Sequence, residues 1–86
     1  MKLIRTSKFT RQTRKLTKNN IPLRNKLQES LIRLSQNPFD PSLFTHKLKG
    51  ELEGKLAARL TYDLRIIFQF EKYDEEMYFI NVYRNS

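Results

Sequence analysis

The sequence predicts an α+β fold, with a short N-terminal strand and a two-helix hairpin packed on an antiparallel sheet of three or four strands. Two observations predict it: leucines recur at helical spacing in the first half of the chain, and apolar residues alternate with polar ones in the second half. A chain of 86 residues can bury one core and cannot divide it in two. We therefore expect residues 1–86 to form a single domain.

The helical signals lie in the first half. Residues 2–6 carry β-formers and predict a short strand, and Ser7 is a good N-cap for a helix from Lys8 to about Asn19. Four leucines then share one face of a second helix: Leu23, Leu27, Leu31 and Leu34. Asn20 can cap the start of this helix, and Asn37-Pro38 ends it because the residue before a proline is pushed out of the helical region.

The second half predicts strands joined by connections too short for parallel neighbours. Their approximate bounds are Phe44 to Lys49, Lys55 to Thr61, Leu64 to Glu71 and Met77 to Tyr83. Side chains alternate between the two faces of a sheet, so Arg59 and Arg65 both point away from the side that the helices cover. We expect a concave, polar sheet face that bears these two arginines.

Positive charge is concentrated in the first half of the chain. Residues 1–36 hold ten Lys or Arg and one Glu, a net charge of +9, whereas residues 37–86 carry a net charge of −1. A polyanion or an acidic protein is the natural complement of such a field. The alternative is a soluble surface with an excess of basic residues.

Cysteine is absent, which excludes a disulfide framework, a thiolate zinc site and a cysteine nucleophile. No carboxylate or histidine cluster has the spacing of metal ligands, so neither a metal nor a small-molecule cofactor is implied. The N-terminus lacks a signal peptide, and no apolar run approaches the roughly 20 residues of a membrane span. We expect a cytoplasmic protein without a membrane partner.

His46 is the only histidine, and imidazole is the usual side chain for moving protons near neutral pH. The alternative is a surface histidine without a role. The segment around it decides between them, because Asn37 to Asn81 resembles RelE/YafQ-type toxins, the messenger-RNA endonucleases of bacterial type II toxin–antitoxin pairs within the RelE/ParE superfamily. The resemblance lies in these pieces: His-Lys-Leu-Lys-Gly at 46–50, a strand bearing Arg59, Tyr62-Asp63-Leu64-Arg65, Ile66-Ile67-Phe68 and Phe79-Ile80-Asn81-Val82.

The resemblance implies a RelE-like microbial RNase fold and cleavage of messenger RNA on the ribosome, with contacts to ribosomal RNA. A metal is not required, since the ribose 2′-hydroxyl of the substrate is itself the nucleophile. It also implies a cognate antitoxin, whose acidic or amphipathic segment would lie on the basic half of the chain.

Carried onto this sequence, the resemblance implies proton transfer by His46, a site carboxylate at Asp63, and stabilisation of the phosphate by Arg59 and Arg65. Three lysines would hold the RNA backbone: Lys47, Lys49 and Lys55. The alternatives are an ordinary turn aspartate for Asp63 and solvated sheet residues for the arginines.

The C-terminal residues depart from the YafQ pattern, in which the last strand leads into a second histidine. Here Val82 is followed by Tyr83 and Arg84. Either these two residues replace the histidine, with Arg84 contacting RNA, or the segment has been removed. Loss of one proton-transfer partner costs about 10²- to 10⁴-fold in rate, so we expect weakened or absent activity.

Two other functions remain open. A ParE-type toxin has the same fold but inhibits DNA gyrase by binding, and it needs no proton-transfer residue. A generic basic RNA-binding module is the third reading, although its Gly-Phe and Gly-X-X-Gly signatures are missing.

Overall fold

The computed structural model describes residues 2–71 and 73–84. The elements in chain order are β1 (Lys2–Arg5), α1 (Ser7–Thr17), α2 (Ile21–Gln36), β2 (His46–Lys47), β3 (Leu56–Arg59), β4 (Leu64–Glu71) and β5 (Glu76–Arg84). Short 3₁₀ turns at Pro41–Leu43 and Gly50–Leu52 flank β2. The predicted α+β class is confirmed. Within the described residues, neither helix has the length and apolarity of a membrane span.

All strands belong to one sheet, in the order β1-β5-β4-β3-β2. Strands β2 to β5 are antiparallel neighbours, as predicted, whereas β1 pairs parallel to β5. The sheet is therefore mixed and five-stranded, not antiparallel with three or four strands. A parallel pair needs a long crossover, which the intervening helices and strands supply, and local patterning does not reveal such a partner.

Helix α1 begins one residue earlier than predicted, because Thr6 and not Ser7 is its N-cap. The Thr6 hydroxyl accepts from the Phe9 amide at 3.2 Å and donates to the Phe79 carbonyl of β5 at 2.8 Å. One side chain thus caps the helix and holds its start against the sheet. Helix α2 matches its predicted limits, with the Asn20 side chain accepting from the Leu23 amide at 3.1 Å.

The core lies between the helices and one face of the sheet. Three phenylalanines form its centre, with ring centroids 5.3 Å apart for Phe9 and Phe79 and 6.5 Å apart for Phe68 and Phe79. This core contains three of the four α2 leucines, and Leu23 packs against it; from β3 and β4 it contains Leu56, Ala58, Leu64, Ile66 and Phe68. The opposite face carries no helix, but Ala57 and Ile67 on it are fully buried. Its centre is therefore an apolar floor surrounded by longer side chains.

A β-bulge in β5 changes which residues reach this open face. Ile67 pairs with Asn81 and Phe68 with Phe79, so Ile80 is an extra residue in the ladder. Beyond the bulge the alternation is shifted by one position. Val82 consequently faces the core, and Tyr83 faces the open side.

Candidate active site

Three predicted site residues form one rung across the open sheet face. Arg59 of β3 is directly opposite Arg65 of β4, and Arg65 is directly opposite Tyr83 of β5. Directly opposed side chains have Cβ atoms about 4.5–5.5 Å apart. His46 of β2 is opposite Ala57, which puts it on the next rung of the same face, about 7 Å further along the strands.

The His46 ring is exposed, and a backbone contact holds it. Its Nδ1 lies 3.2 Å from the carbonyl oxygen of Phe44. Since a carbonyl only accepts, this hydrogen bond requires a proton on Nδ1, so in the neutral ring the lone pair lies on Nε2. In that form the exposed Nε2 could accept a proton.

The Arg65 side chain is anchored to the turn between β3 and β4. Its Nη1 lies 2.9 Å from the carbonyl oxygen of Thr61 and 3.2 Å from those of Tyr62 and Leu64. Within the described residues its Nε and Nη2 have no hydrogen-bond partner. One edge of the guanidinium is therefore fixed, and the other is free to donate to an anion.

Arg59 is held by an aromatic ring. Its Cζ lies 4.2 Å from the ring centroid of Phe44, and its Nε is buried with no hydrogen-bond partner among the described residues. The ion pairs of residues 2–71 and 73–84 join Glu29 to Arg33 and Asp63 to Arg84, so neither Arg59 nor Arg65 has a carboxylate. Opposed like charges repel. A bound phosphate would relieve this repulsion.

Asp63 lies in the β3–β4 turn and pairs with Arg84 at the end of β5. The Thr61 hydroxyl donates to its carboxylate at 2.8 Å. This hydrogen bond, followed by the charge of Arg84, lowers the pKa of Asp63 although desolvation opposes the shift. The carboxylate is thus ionised at neutral pH and suited to holding Arg84 rather than to donating a proton. Its implied catalytic role remains a prediction.

The three predicted RNA-binding lysines meet at a different place from the arginine rung. Lys47, Lys49 and Lys55 line a cavity of about 510 Å³ together with Phe39 and Phe70. Lys47 is paired with the core-facing Leu56 and thus points to the side of the sheet opposite His46. These lysines could contact a strand of RNA only where it passes around the β2 edge.

Phe44 is a functional candidate that sequence reasoning missed. It contacts both His46 and Arg59 and is 59% exposed. An aromatic at the start of a predicted strand gives no local signal of such a position. Within the described residues, no group of three or more potential ligands has a geometry that could hold a metal ion.

No protein-family model and no curated protein matches this sequence. Solved structures do match. The YoeB/ParE toxin from Agrobacterium tumefaciens is 17% identical, with a TM-score of 0.87 over 100% of both chains. YafQ from E. coli is 20% identical, with a TM-score of 0.78 over 95% of this chain and 90% of that one. The YoeB–YefM complex from Staphylococcus aureus is 16% identical, with a TM-score of 0.82 over 100% and 98%. The chain therefore has the fold of the YoeB, ParE and YafQ toxins, which confirms the RelE-like fold implied by the sequence resemblance.

Proposed function

We propose that this chain is the toxin of a type II toxin–antitoxin pair and cleaves messenger RNA on the ribosome without a metal. The observation that carries the proposal is the rung of Arg59, Arg65 and Tyr83, with His46 on the next rung of the same face. It combines a proton acceptor, two cations without carboxylate partners in the described residues and a phenol, around an apolar floor.

The proposed reaction needs only these groups. Nε2 of His46 takes the proton of a ribose 2′-hydroxyl, and the resulting oxygen attacks the adjacent phosphorus. The guanidinium groups of Arg59 and Arg65 stabilise the charge that develops on the phosphate oxygens. The bond to the 5′-oxygen breaks, and the Tyr83 hydroxyl donates a proton to it. The products are a 2′,3′-cyclic phosphate and a 5′-hydroxyl end.

Other residues have supporting roles in this proposal. Arg84, held by Asp63, extends the positive surface beyond Tyr83, and Lys47, Lys49 and Lys55 contact RNA at the β2 edge. We expect cleavage to be slow, because the proposed acid is a phenol, which is a weaker acid than imidazolium. An added C-terminal segment carrying a histidine should accelerate it.

The proposal includes a neutralising partner in the cytoplasm, where the messenger substrate is. One solved structure with this fold is a complex with the protein YefM. We propose that an acidic antitoxin segment lies on the basic surface of α1 and α2, where a cavity of about 380 Å³ is lined by Arg5, Arg14, Lys18 and Arg24. Co-purification of the chain without the product of a neighbouring gene would count against this partner.

Mapping of 5′ ends in a reconstituted translation reaction tests the proposed activity. His46→Gln should slow cleavage by about 10²- to 10⁴-fold. Arg11→Gln, which removes an exposed cation of α1 on the helix-covered side of the sheet, should leave the rate nearly unchanged. Inhibition of purified DNA gyrase without cleavage of message by any version of the chain would instead favour a ParE-type inhibitor.

A further inference from the structure

Phe44 adopts a backbone conformation that phenylalanine rarely tolerates. Its φ of 49° and ψ of 39° lie in the left-handed region, which is disfavoured for a bulky side chain. Phe44 is the C-cap of the 3₁₀ turn Pro41–Leu43, and its amide donates to the Pro41 carbonyl at 3.3 Å, while the residue is 59% exposed. Such outliers persist where the surrounding structure has a use for them.

In this conformation Phe44 contacts two residues of the proposed site. The Phe44 carbonyl contacts Nδ1 of His46 at 3.2 Å, and the Phe44 ring lies over the guanidinium of Arg59 at 4.2 Å. The ring is thereby fixed on one side by a cation while more than half of the residue remains open to solvent. It stands next to both the proton acceptor and a phosphate-binding cation.

We propose that Phe44 is the stacking platform for a nucleobase next to the scissile phosphate, which rests on the proposed function in taking single-stranded RNA as the ligand. Single-stranded RNA is bound mainly by stacking of its splayed bases on exposed aromatic rings. A cation already stacked on one face of the ring fixes its position, so a base on the other face completes a three-layer stack of guanidinium, phenyl ring and base. The neighbouring phosphate then lies beside Arg59 and Arg65.

Binding of a labelled 2′-O-methyl RNA hexamer, which has no free 2′-hydroxyl, tests the platform without cleavage. Abasic nucleotides are placed at each position in turn, and the Kd is measured by fluorescence anisotropy. With the unaltered chain, one abasic position should weaken binding by about 5- to 150-fold, the range that loss of one base stack produces. Phe44→Leu should weaken binding of the intact hexamer by a similar factor and abolish the penalty at that position.

Two variants separate stacking from a merely structural role. Phe44→Trp keeps an aromatic face and should retain the penalty. Tyr73→Leu is the matched control, because Tyr73 is an exposed aromatic in the turn between β4 and β5, at the opposite end of the open face from Arg59 and Arg65. It should behave like the unaltered chain.

The inference is overturned if Phe44→Leu keeps the abasic penalty, if no position shows a penalty, or if the unaltered chain does not bind the hexamer. Message cleavage is measured separately on the ribosome. Cleavage without any base-dependent binding would leave the proposed function in place and remove the platform. Binding that depends on one base and on Phe44, with no cleavage by any version, would retain the platform and remove the nuclease.

Discussion

Side chains of like charge stand directly opposite each other at both ends of the open sheet face, but the two pairs are treated differently. At one end Glu71 faces Glu76 across β4 and β5. Gln69 donates to Glu71 at 2.6 Å, and the Tyr78 hydroxyl donates to Glu76 at 3.2 Å. Desolvation and the adjacent Glu76 raise the pKa of Tyr78, which keeps its hydroxyl protonated as a donor.

At the other end Arg59 faces Arg65, and this pair has no comparable side-chain hydrogen bonds among the described residues. Arg65 uses one nitrogen on backbone carbonyls, and Arg59 has a ring beneath its guanidinium and a buried Nε without an acceptor in the described residues. A repulsive pair with its own hydrogen-bond partners is structural. A repulsive pair that has no carboxylate partner among the described residues is a place for a ligand of opposite charge.

The largest expected effect is a difference in cleavage rate between substitutions at the arginine end and at the acidic end of the open face. Arg65→Gln should reduce cleavage of ribosome-bound message by about 10²- to 10³-fold, because one preorganised donor to the developing charge is lost. Glu76→Gln, at the corresponding place of the acidic end, should leave the rate within a few-fold of the unaltered chain. Single-turnover rates on programmed ribosomes measure both, and equal losses would remove the distinction between the two ends.

A smaller effect should appear in thermal stability. Pyrophosphate at ten times its Kd should stabilise the chain by about 1.4 kcal/mol, because it binds the folded state alone. For a chain of this size the Tm should rise by roughly 6 to 11 °C. Arg59→Gln should abolish the rise and Glu71→Gln should retain it, with sodium chloride at matched ionic strength as the control. A rise that survives Arg59→Gln would place the anion elsewhere.

The smallest effect concerns Asp63, which like the acidic pair already has its partners. Asp63→Asn should change the cleavage rate far less than the 10²- to 10⁴-fold expected for a proton-transfer residue. A loss in that range would restore Asp63 as an acid or base. The predicted consequence is on stability, measured as Tm between pH 7 and pH 2.5.

The sign follows from the lowered pKa of Asp63 in the folded chain. Its stabilisation is fully present above the unfolded value of about 3.8 and is lost as the pH falls through the folded value. The Tm difference between the unaltered chain and Asp63→Asn should therefore be largest near neutral pH and should shrink below pH 4. A difference that grows on acidification would contradict the assignment.

Local sequence patterns predicted the elements that are determined by residues close to one another in the chain. The Asn20 cap, the proline after Asn37 and the leucine spacing define α2, and alternation placed Arg59 and Arg65 on one face. The N-cap of α1 was wrong because the Thr6 hydroxyl also bonds to β5, a contact 73 residues away. The parallel pairing of β1 with β5 likewise depends on contacts between residues that are distant in sequence.

The site was predictable in part. Alternation itself separates Lys47 from His46, since neighbouring residues of a strand point to opposite faces. The position of Tyr83 depends on the bulge, and the sequence contains a signal for it. Met77 and Phe79 are two residues apart, as core-facing residues of a strand are, whereas Val82 follows Phe79 by three residues. The ion pair of Asp63 and the backbone conformation of Phe44 depend on register and packing, which no local pattern reports.

The most direct test of the central claim is a heteronuclear NMR titration of the arginine Nε–H groups with the 2′-O-methyl RNA hexamer. We predict that the Nε–H signals of Arg59 and Arg65 and the ring signals of His46 shift together with one Kd, while Arg11 stays unchanged. Shifts confined to the arginines of α1 and α2, with Arg59 and Arg65 unaffected, would contradict it.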